Sequence, residues 1–174
     1  NTAGGSRNNL YDVHAAESSL SPYIRLSWLP KINQGFFLRA ETFYQFASHI
    51  DELDHFEAYG HRSLHKQSHG ESFLALFKNR FNGRGIYLLD EPEAALSPAR
   101  QLAFLRLLHD MDKEGDSQFI IATHSPILLG YPNAIIYEFD DQIRPVTYEE
   151  TAHYNITRRF LEQRKRYLKE IFED

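Results

Sequence analysis

The sequence predicts an α/β domain built on parallel strands, and three stretches carry that expectation. Gly85-Ile86-Tyr87-Leu88-Leu89 is a continuous apolar run that meets two adjacent acids, Asp90 and Glu91. Such a run marks a strand buried on both faces, and paired carboxylates end it at Leu89 or Asp90. Gln118 to Ala122 is a second run of the same kind. Between them, Ser97-Pro98 reads as an N-cap with proline at the first helical position. Leu102, Leu105, Leu108 and Met111 then form the expected inner face of a helix that stops at Glu114-Gly115-Asp116. Strand, helix, strand in this order predicts neighbouring parallel strands with a right-handed crossover.

The remaining elements follow from the same rules. Residues 1–20 carry glycine, serine and asparagine without periodicity and read as a loop. Tyr23 to Leu29 and Gly35 to Ala40 are apolar runs separated by Pro30, Asn33 and Gly35, which predicts a hairpin. Phe43, Phe46, Ala47, Ile50 and Leu53 share one helical face. His55 to Gln67 has no period and reads as an exposed loop. A helix from about Glu71 to Phe81 carries the stripe Phe73, Leu74, Phe77 and Phe81, and Asn82-Gly83-Arg84-Gly85 ends it. Ala134 to Phe139 reads as a third strand turning at Asp140-Asp141 into Ile143 to Thr147. Glu149 to Phe172 reads as helical, in one or two pieces, with its basic side chains outward and Phe160, Leu161, Leu168 and Ile171 inward.

Composition bounds the function. The chain has 174 residues, 42% of them hydrophobic, and a formal net charge of −5, which argues against a wholly basic nucleic-acid binder. It has no cysteine, so disulfides and thiolate metal sites are excluded, and a cytoplasmic, reducing setting is expected. No apolar run approaches the roughly 20 residues of a membrane span.

Ligands of open α/β sheets bind outside the carboxyl ends of the strands. Asp90 and Glu91 are expected there, and His124, directly after the second strand, is expected beside them. Each signal also has a structural reading. Two acids can be a solvated strand end, and His124 a capping histidine. Ser68-His69-Gly70-Glu71 has the Ser-x-x-Glu form of a capping box, while exposed N–H groups at a helix start beside a glycine also suit phosphate. His61, His65 and His69 are four apart, but Gly60 and Gly70 flank them and no helix is expected, so a zinc site is disfavoured. Arg158, Arg159, Arg164, Lys165, Arg166 and Lys169 read first as a solvated helix face and second as a phosphate-backbone contact.

Four stretches occur in a fixed order: SHGE opening a helix, LLDEP ending a strand, the EPEAALSP loop, and a histidine ending the next strand. This order resembles the C-terminal half of an ABC-type ATPase domain. The likeness is closest to small bacterial ATPases of the AAA/ABC type, in the style of RecF, SMC and OLD-like enzymes, through His65 to Phe81, Leu89 to Gln101 and Phe119 to Pro132. The resemblance implies an α/β P-loop NTPase core, a parallel sheet flanked by helices, over residues 1–174. Within it, residues 41–82 would be a helical signature subregion, 85–148 the sheet region from Walker B to the H-loop, and 149–174 a helical tail.

The resemblance also implies roles. ATP and Mg²⁺ would be the cofactors. Asp90 would hold the metal, Glu91 would activate water and His124 would contact the γ-phosphate. Ser68, His69, Gly70 and Glu71 would meet a nucleotide held by a second subunit in an ATP-dependent homodimer, and Ser97 would stand in the D-loop where many transporters have aspartate. Glu41 would be the Q-loop candidate. No G-x-x-x-x-G-K-[ST] occurs in the chain, since Gly4-Gly5-Ser6-Arg7 lacks the lysine. The sequence also starts without methionine, so the expectation is a C-terminal part lacking the P-loop strand and inactive alone. The process driven by ATP is left open. A non-catalytic interaction module and the ATPase of a DNA repair or defence system, with nucleic acid as partner, are the alternatives.

Overall fold

The structure is a computed structural model that describes residues 2–5, 11–12, 21–25, 27, 32–40, 43, 69–81 and 83–173. It divides into two compact units, Asn1–Thr123 and His124–Asp174. The expected helix around Phe46 to Leu53, the loop His55 to Gln67, Ser68, Glu41, His61 and His65 lie outside the described residues.

The first unit contains β1 (Thr2–Gly5), β2 (Tyr11–Asp12), β3 (Gly35–Arg39), α1 (His69–Arg80), β4 (Gly85–Asp90), α2 (Pro98–Glu114) and β5 (Ser117–Ala122). Its sheet runs β2-β1-β3-β4-β5. β3, β4 and β5 are parallel, with Leu38 opposite Leu89 and Asp90 opposite Ala122. β1 is antiparallel to both β2 and β3. The expected βαβ unit is therefore present: α2 connects two adjacent parallel strands, and Gly115, at φ 73°, ends the helix in the left-handed region that glycine enters without strain.

One expectation about the first residues fails. Thr2–Gly5 and Tyr11–Asp12 are strands rather than loop. Of the apolar run expected to pair with β3, Leu26, Trp28 and Leu29 lie outside the described residues. Ser21–Tyr23 is a 3-10 turn, and β3 spends its two edges on β1 and β4. A strand has only two hydrogen-bonding edges, so both partners of β3 are taken.

The core of this unit is aromatic. On α1, Phe73, Leu76, Phe77 and then Phe81 turn inward, with Leu74 half-buried. Phe77 stacks on Phe81 at 3.9 Å and meets Phe104 of α2 edge-on at 4.5 Å. Phe81 continues the contact to Phe36 of β3 and Tyr87 of β4, and Tyr87 stacks on Phe119 of β5. The chain of rings thus ties both helices to one face of the parallel sheet. Burial of Tyr87 pushes its phenol pKa upward, and its hydroxyl donates to the Gly83 carbonyl.

Two faces differ from the expectation. α2 buries Gln101, Phe104 and Leu108, while Leu102 is 60% exposed. The bulkier Phe104 takes the inward place against Phe73 and Phe77, and Gln101 follows it in by donating from Nε2 to the Leu96 carbonyl. The sheet is also not buried on both faces. Phe37, Leu88 and Ile120 lie in one row across β3, β4 and β5, and Ile120 is 56% exposed.

The second unit contains α3 (Pro126–Leu129), the antiparallel hairpin β6 (Ile136–Phe139) and β7 (Ile143–Val146), α4 (Ala152–Glu162) and α5 (Arg164–Phe172). β6 and β7 form a sheet of their own, so the expected third strand is not an extension of the parallel sheet. Glu138 and Arg144 face each other across it and pair at 2.8 Å. The tail is two helices, as expected, but Leu161 and Ile171 are exposed, while Phe160 and Leu168 are half-buried. Arg158, Arg166 and Lys169 pair along the helix surface with Glu162, Glu170 and Glu173. Acids one turn away thus answer half of the basic run, as on a solvated helix face.

The entry to α4 is closely tied. Thr147 and Glu150 form a capping box, in which the Glu150 carboxylate accepts from the Thr147 N–H and hydroxyl, each at 2.8 Å. These hydrogen bonds hold the Glu150 pKa below the usual glutamate value, the backbone bond contributing most. A depressed carboxylate stabilises the fold above its unfolded pKa, and that contribution fades as pH falls through the lower folded value. Thr147→Ala is expected to raise the Glu150 pKa part of the way back, read by NMR of the side-chain carboxyl. An unmoved titration would contradict the assignment.

Candidate active site

β4 brings Asp90 to the carboxyl end of the parallel sheet. Its register partner on β3 is Arg39, whose Nε donates to Asp90 Oδ2 at 2.8 Å, with each side chain 34% exposed. Opposite charges placed directly across a ladder attract, and this half-exposed pair stabilises by about 1 kcal/mol. The sequence reading did not include Arg39, because only the register of β3 against β4 reveals it.

Glu91 leaves the strand abruptly. Its N–H still donates to the Ala122 carbonyl at 2.9 Å, so the ladder with β5 runs one residue past Asp90. Its backbone then turns to φ 49°, ψ 50°, the left-handed region. For a side-chain-bearing residue that conformation costs on the order of 1–2 kcal/mol. Proline at the next position further restricts the backbone of Glu91, and Pro92 is buried. The turn swings an exposed carboxylate away from the strand direction. Strained backbone of this kind clusters at functional sites.

The loop that follows is anchored to β5. Pro92–Ala95 forms a 3-10 turn, and Glu93 accepts from the Thr123 hydroxyl at 2.7 Å. This contact, also absent from the sequence reading, fixes the loop against the end of the neighbouring strand. Ser97 stands at the N-cap of α2 as expected, but its side chain makes no capping hydrogen bond.

Gly70 and Glu71 lie in the first turn of α1, against the first turn of α2. A Cβ on Gly70 would come within 2.5 Å of Arg100 Cδ, so only glycine fits there unless Arg100 moves. Arg100 also pairs with Glu71 at 3.3 Å. The starts of α1 and α2, carrying Gly70 and Ser97, are thereby brought together. The backbone of His69 is helical, and Ser68 lies outside the described residues.

In the second unit, His124 is exposed, and its Nδ1 lies 2.9 Å from Nε2 of His153 in the first turn of α4. Ser125, next in the chain, caps α3 by accepting from the N–H groups of Ile127 and Leu128.

Among the described residues no group of three His, Cys, Asp or Glu side chains could hold a metal ion. Mg²⁺ needs no such cage, because it is usually held by one or two carboxylates, substrate oxygens and retained water. Asp90, a partly exposed carboxylate at a strand end, fits that mode while shared with Arg39.

Residues 72–130 match a family profile described as "AAA domain, putative AbiEii toxin, Type IV TA system". This stretch is similar to an AAA domain. The match covers β4, the strained turn at Glu91, α2, β5 and His124, but well under half of the chain. It supports an AAA-type ATPase domain, and the parallel three-strand sheet with its flanking helices is consistent with part of a P-loop NTPase fold. No curated protein matches the chain. Among the described residues no helix is long and apolar enough to cross a membrane.

Proposed function

We propose that this chain is the water-activating half of an ABC-type ATPase, acting in the cytoplasm. The observation that carries the reading is the end of β4. There a partly exposed Asp90 is followed by Glu91 in a strained left-handed turn at the carboxyl end of a parallel sheet. Asp90 would hold Mg²⁺ through water, and the metal would neutralise charge on the β- and γ-phosphate oxygens. The Glu91 carboxylate would accept a proton from the attacking water. Arg39 would fix the Asp90 carboxylate in orientation. His124 would donate to the γ-phosphate, a role proposed from its place in the sequence order alone.

Gly70 and Glu71, with Ser68 and His69 before them, would face the nucleotide of a second subunit, and Ser97 would lie at the same junction. The packing of α1 on α2 through Arg100 supports treating these segments as one surface. The resulting homodimer would be isologous, with two equal sites closing together. The wording of the AAA-domain match suits a defence-related task, and DNA repair is the other candidate. The ion-paired surface of α4 and α5 gives no added weight to a nucleic-acid partner.

The proposal requires a phosphate-cradling loop. The 174 residues contain no G-x-x-x-x-G-K-[ST], so further chain or another subunit would supply it. Purified alone, the 174-residue chain is expected to release no phosphate from Mg-ATP above background. Joined to the segment that supplies the loop, it is expected to hydrolyse ATP. Turnover by the 174 residues alone, lost on Glu91→Gln, would contradict the first expectation. Absence of turnover with the loop present and nucleotide bound would favour the non-catalytic interaction module.

A further inference from the structure

We infer that His153 is a positioning residue that holds the His124 ring in its Nε2–H tautomer. The two imidazoles meet edge to face, with His124 Nδ1 and His153 Nε2 separated by 2.9 Å. That distance requires one proton between the two nitrogens, so one ring donates and the other accepts. A neutral histidine side chain in water prefers its proton on Nε2. Both rings keep that preference in only one arrangement: His153 Nε2–H donates, and His124 Nδ1 accepts. The reverse arrangement forces both rings into the less favoured tautomer. Hydrogen bonding at one ring nitrogen thus sets which tautomer a histidine holds, as it does for histidines that ligate metals.

The scaffold of the second unit makes this pairing a fixed one. His153 lies in the first turn of α4, and the side chains of Thr151, Glu138 and Asn155 hold that turn. Thr151 caps the helix by accepting from Tyr154 N–H and donates to the Tyr148 carbonyl at 2.8 Å. Glu138 of β6 accepts from Ala152 N–H at 3.4 Å. Asn155 reaches back from its side-chain amide to the carbonyls of Glu149 and Thr151. On the other side, His124 directly precedes the Ser125 cap of α3, and Tyr148 donates to the Pro126 carbonyl at 2.9 Å.

The consequence for function rests on the ATPase reading above. An imidazole locked as Nε2–H presents a donor, the form that can hydrogen-bond a phosphate oxygen. The tautomer itself does not depend on that reading. The test is long-range ¹H–¹⁵N NMR of the imidazole nitrogens in the full 174-residue chain, at a pH where both rings are neutral. We expect His124 Nδ1 to carry the shift of an unprotonated nitrogen and Nε2 that of a protonated one. His153→Ala should move both His124 nitrogens away from those values. His153→Gln, whose side-chain amide can also donate, should restore them. A protonated His124 Nδ1, or His124 shifts unchanged in His153→Ala, would overturn the inference.

In the ATP-hydrolysing protein, His153→Ala should lower kcat roughly tenfold with KM nearly unchanged, and His153→Gln should recover most of the loss. An altered tautomer with unaltered kcat would overturn the catalytic consequence and leave the tautomer assignment standing. If no ATP is hydrolysed at all, the ATPase reading fails, and the NMR result still decides the role of His153.

Discussion

Glu91→Gln, placed in the ATP-hydrolysing form of this protein, is expected to lower kcat by roughly 10²- to 10⁴-fold while Mg-ATP affinity changes little. Glutamine keeps the size and backbone of Glu91 but cannot accept a proton from water. Asp90 and Arg39 remain in place, so nucleotide binding should persist. A dimer closed on ATP should then accumulate, because the γ-phosphate shared by both subunits is not removed. Ser68→Arg added to that variant should abolish the dimer by placing bulk at the shared phosphate. Light scattering at saturating Mg-ATP reads both effects. A monomer with nucleotide demonstrably bound would defeat the sandwich arrangement. Glu91→Gly separates strain from chemistry. Glycine enters the left-handed region freely, so this variant should be more stable by about 1 kcal/mol while equally slow. Loss of stability in Glu91→Gly would mean that the turn is not strained.

What could be read from the sequence was whatever depends on neighbours along the chain. Gly85 to Asp90 is a strand because apolar residues run without a break and two acids stop them. α2 begins at Ser97-Pro98 and ends at Gly115 because proline and glycine have few conformational choices. The βαβ unit follows from these, and so does the location of Asp90 and Glu91 at the carboxyl edge. What could not be read depends on partners distant in the chain. Arg39 meets Asp90 only through the register of β3 on β4, and His153 meets His124 only through the docking of α4 beside α3. Even local periodicity left α2 ambiguous. Leu102 and Phe104 sit on nearly opposite faces of the helix, and ring packing against Phe73 and Phe77, rather than hydrophobicity, decides which turns inward. The same limit explains Ile120. A buried strand and an apolar strand with one open face look alike in sequence, and only the placement of the helices distinguishes them.

Phe77→Ala is expected to destabilise the first unit by about 3–5 kcal/mol, a large part of the roughly 5–15 kcal/mol that holds a domain folded. Phe77 is 1% exposed and touches rings on both sides along α1: Phe73 at 5.0 Å and Phe81 at 3.9 Å. It also carries the edge-on contact to Phe104, which seats α2 on α1. Truncation removes the buried ring and leaves a cavity between two helices whose spacing Phe73 and Phe104 still set. Because the chain has two compact units, a single melting curve would mix their unfolding. Hydrogen exchange of the Leu88 and Leu89 amides reports on the parallel sheet directly, and their protection should fall by the same free energy. Phe104→Ala should cost a similar amount, and the double variant less than the sum by about 0.5–1.5 kcal/mol, the part carried by the ring pair itself. Phe77→Leu, which refills most of the volume, should recover much of the loss. A change within about 0.5 kcal/mol for Phe77→Ala, the range of an ordinary surface substitution, would show that the aromatic chain is not what holds α1 to the sheet. The seating matters for the site as well, since α1 carries Gly70 and Glu71 and meets α2 both in the core, where Phe73 and Phe77 contact Phe104, and at the helix starts, through Arg100. Loosening the first should therefore also loosen the Glu71–Arg100 pair, visible as faster exchange at the amides of Ser72 and Phe73.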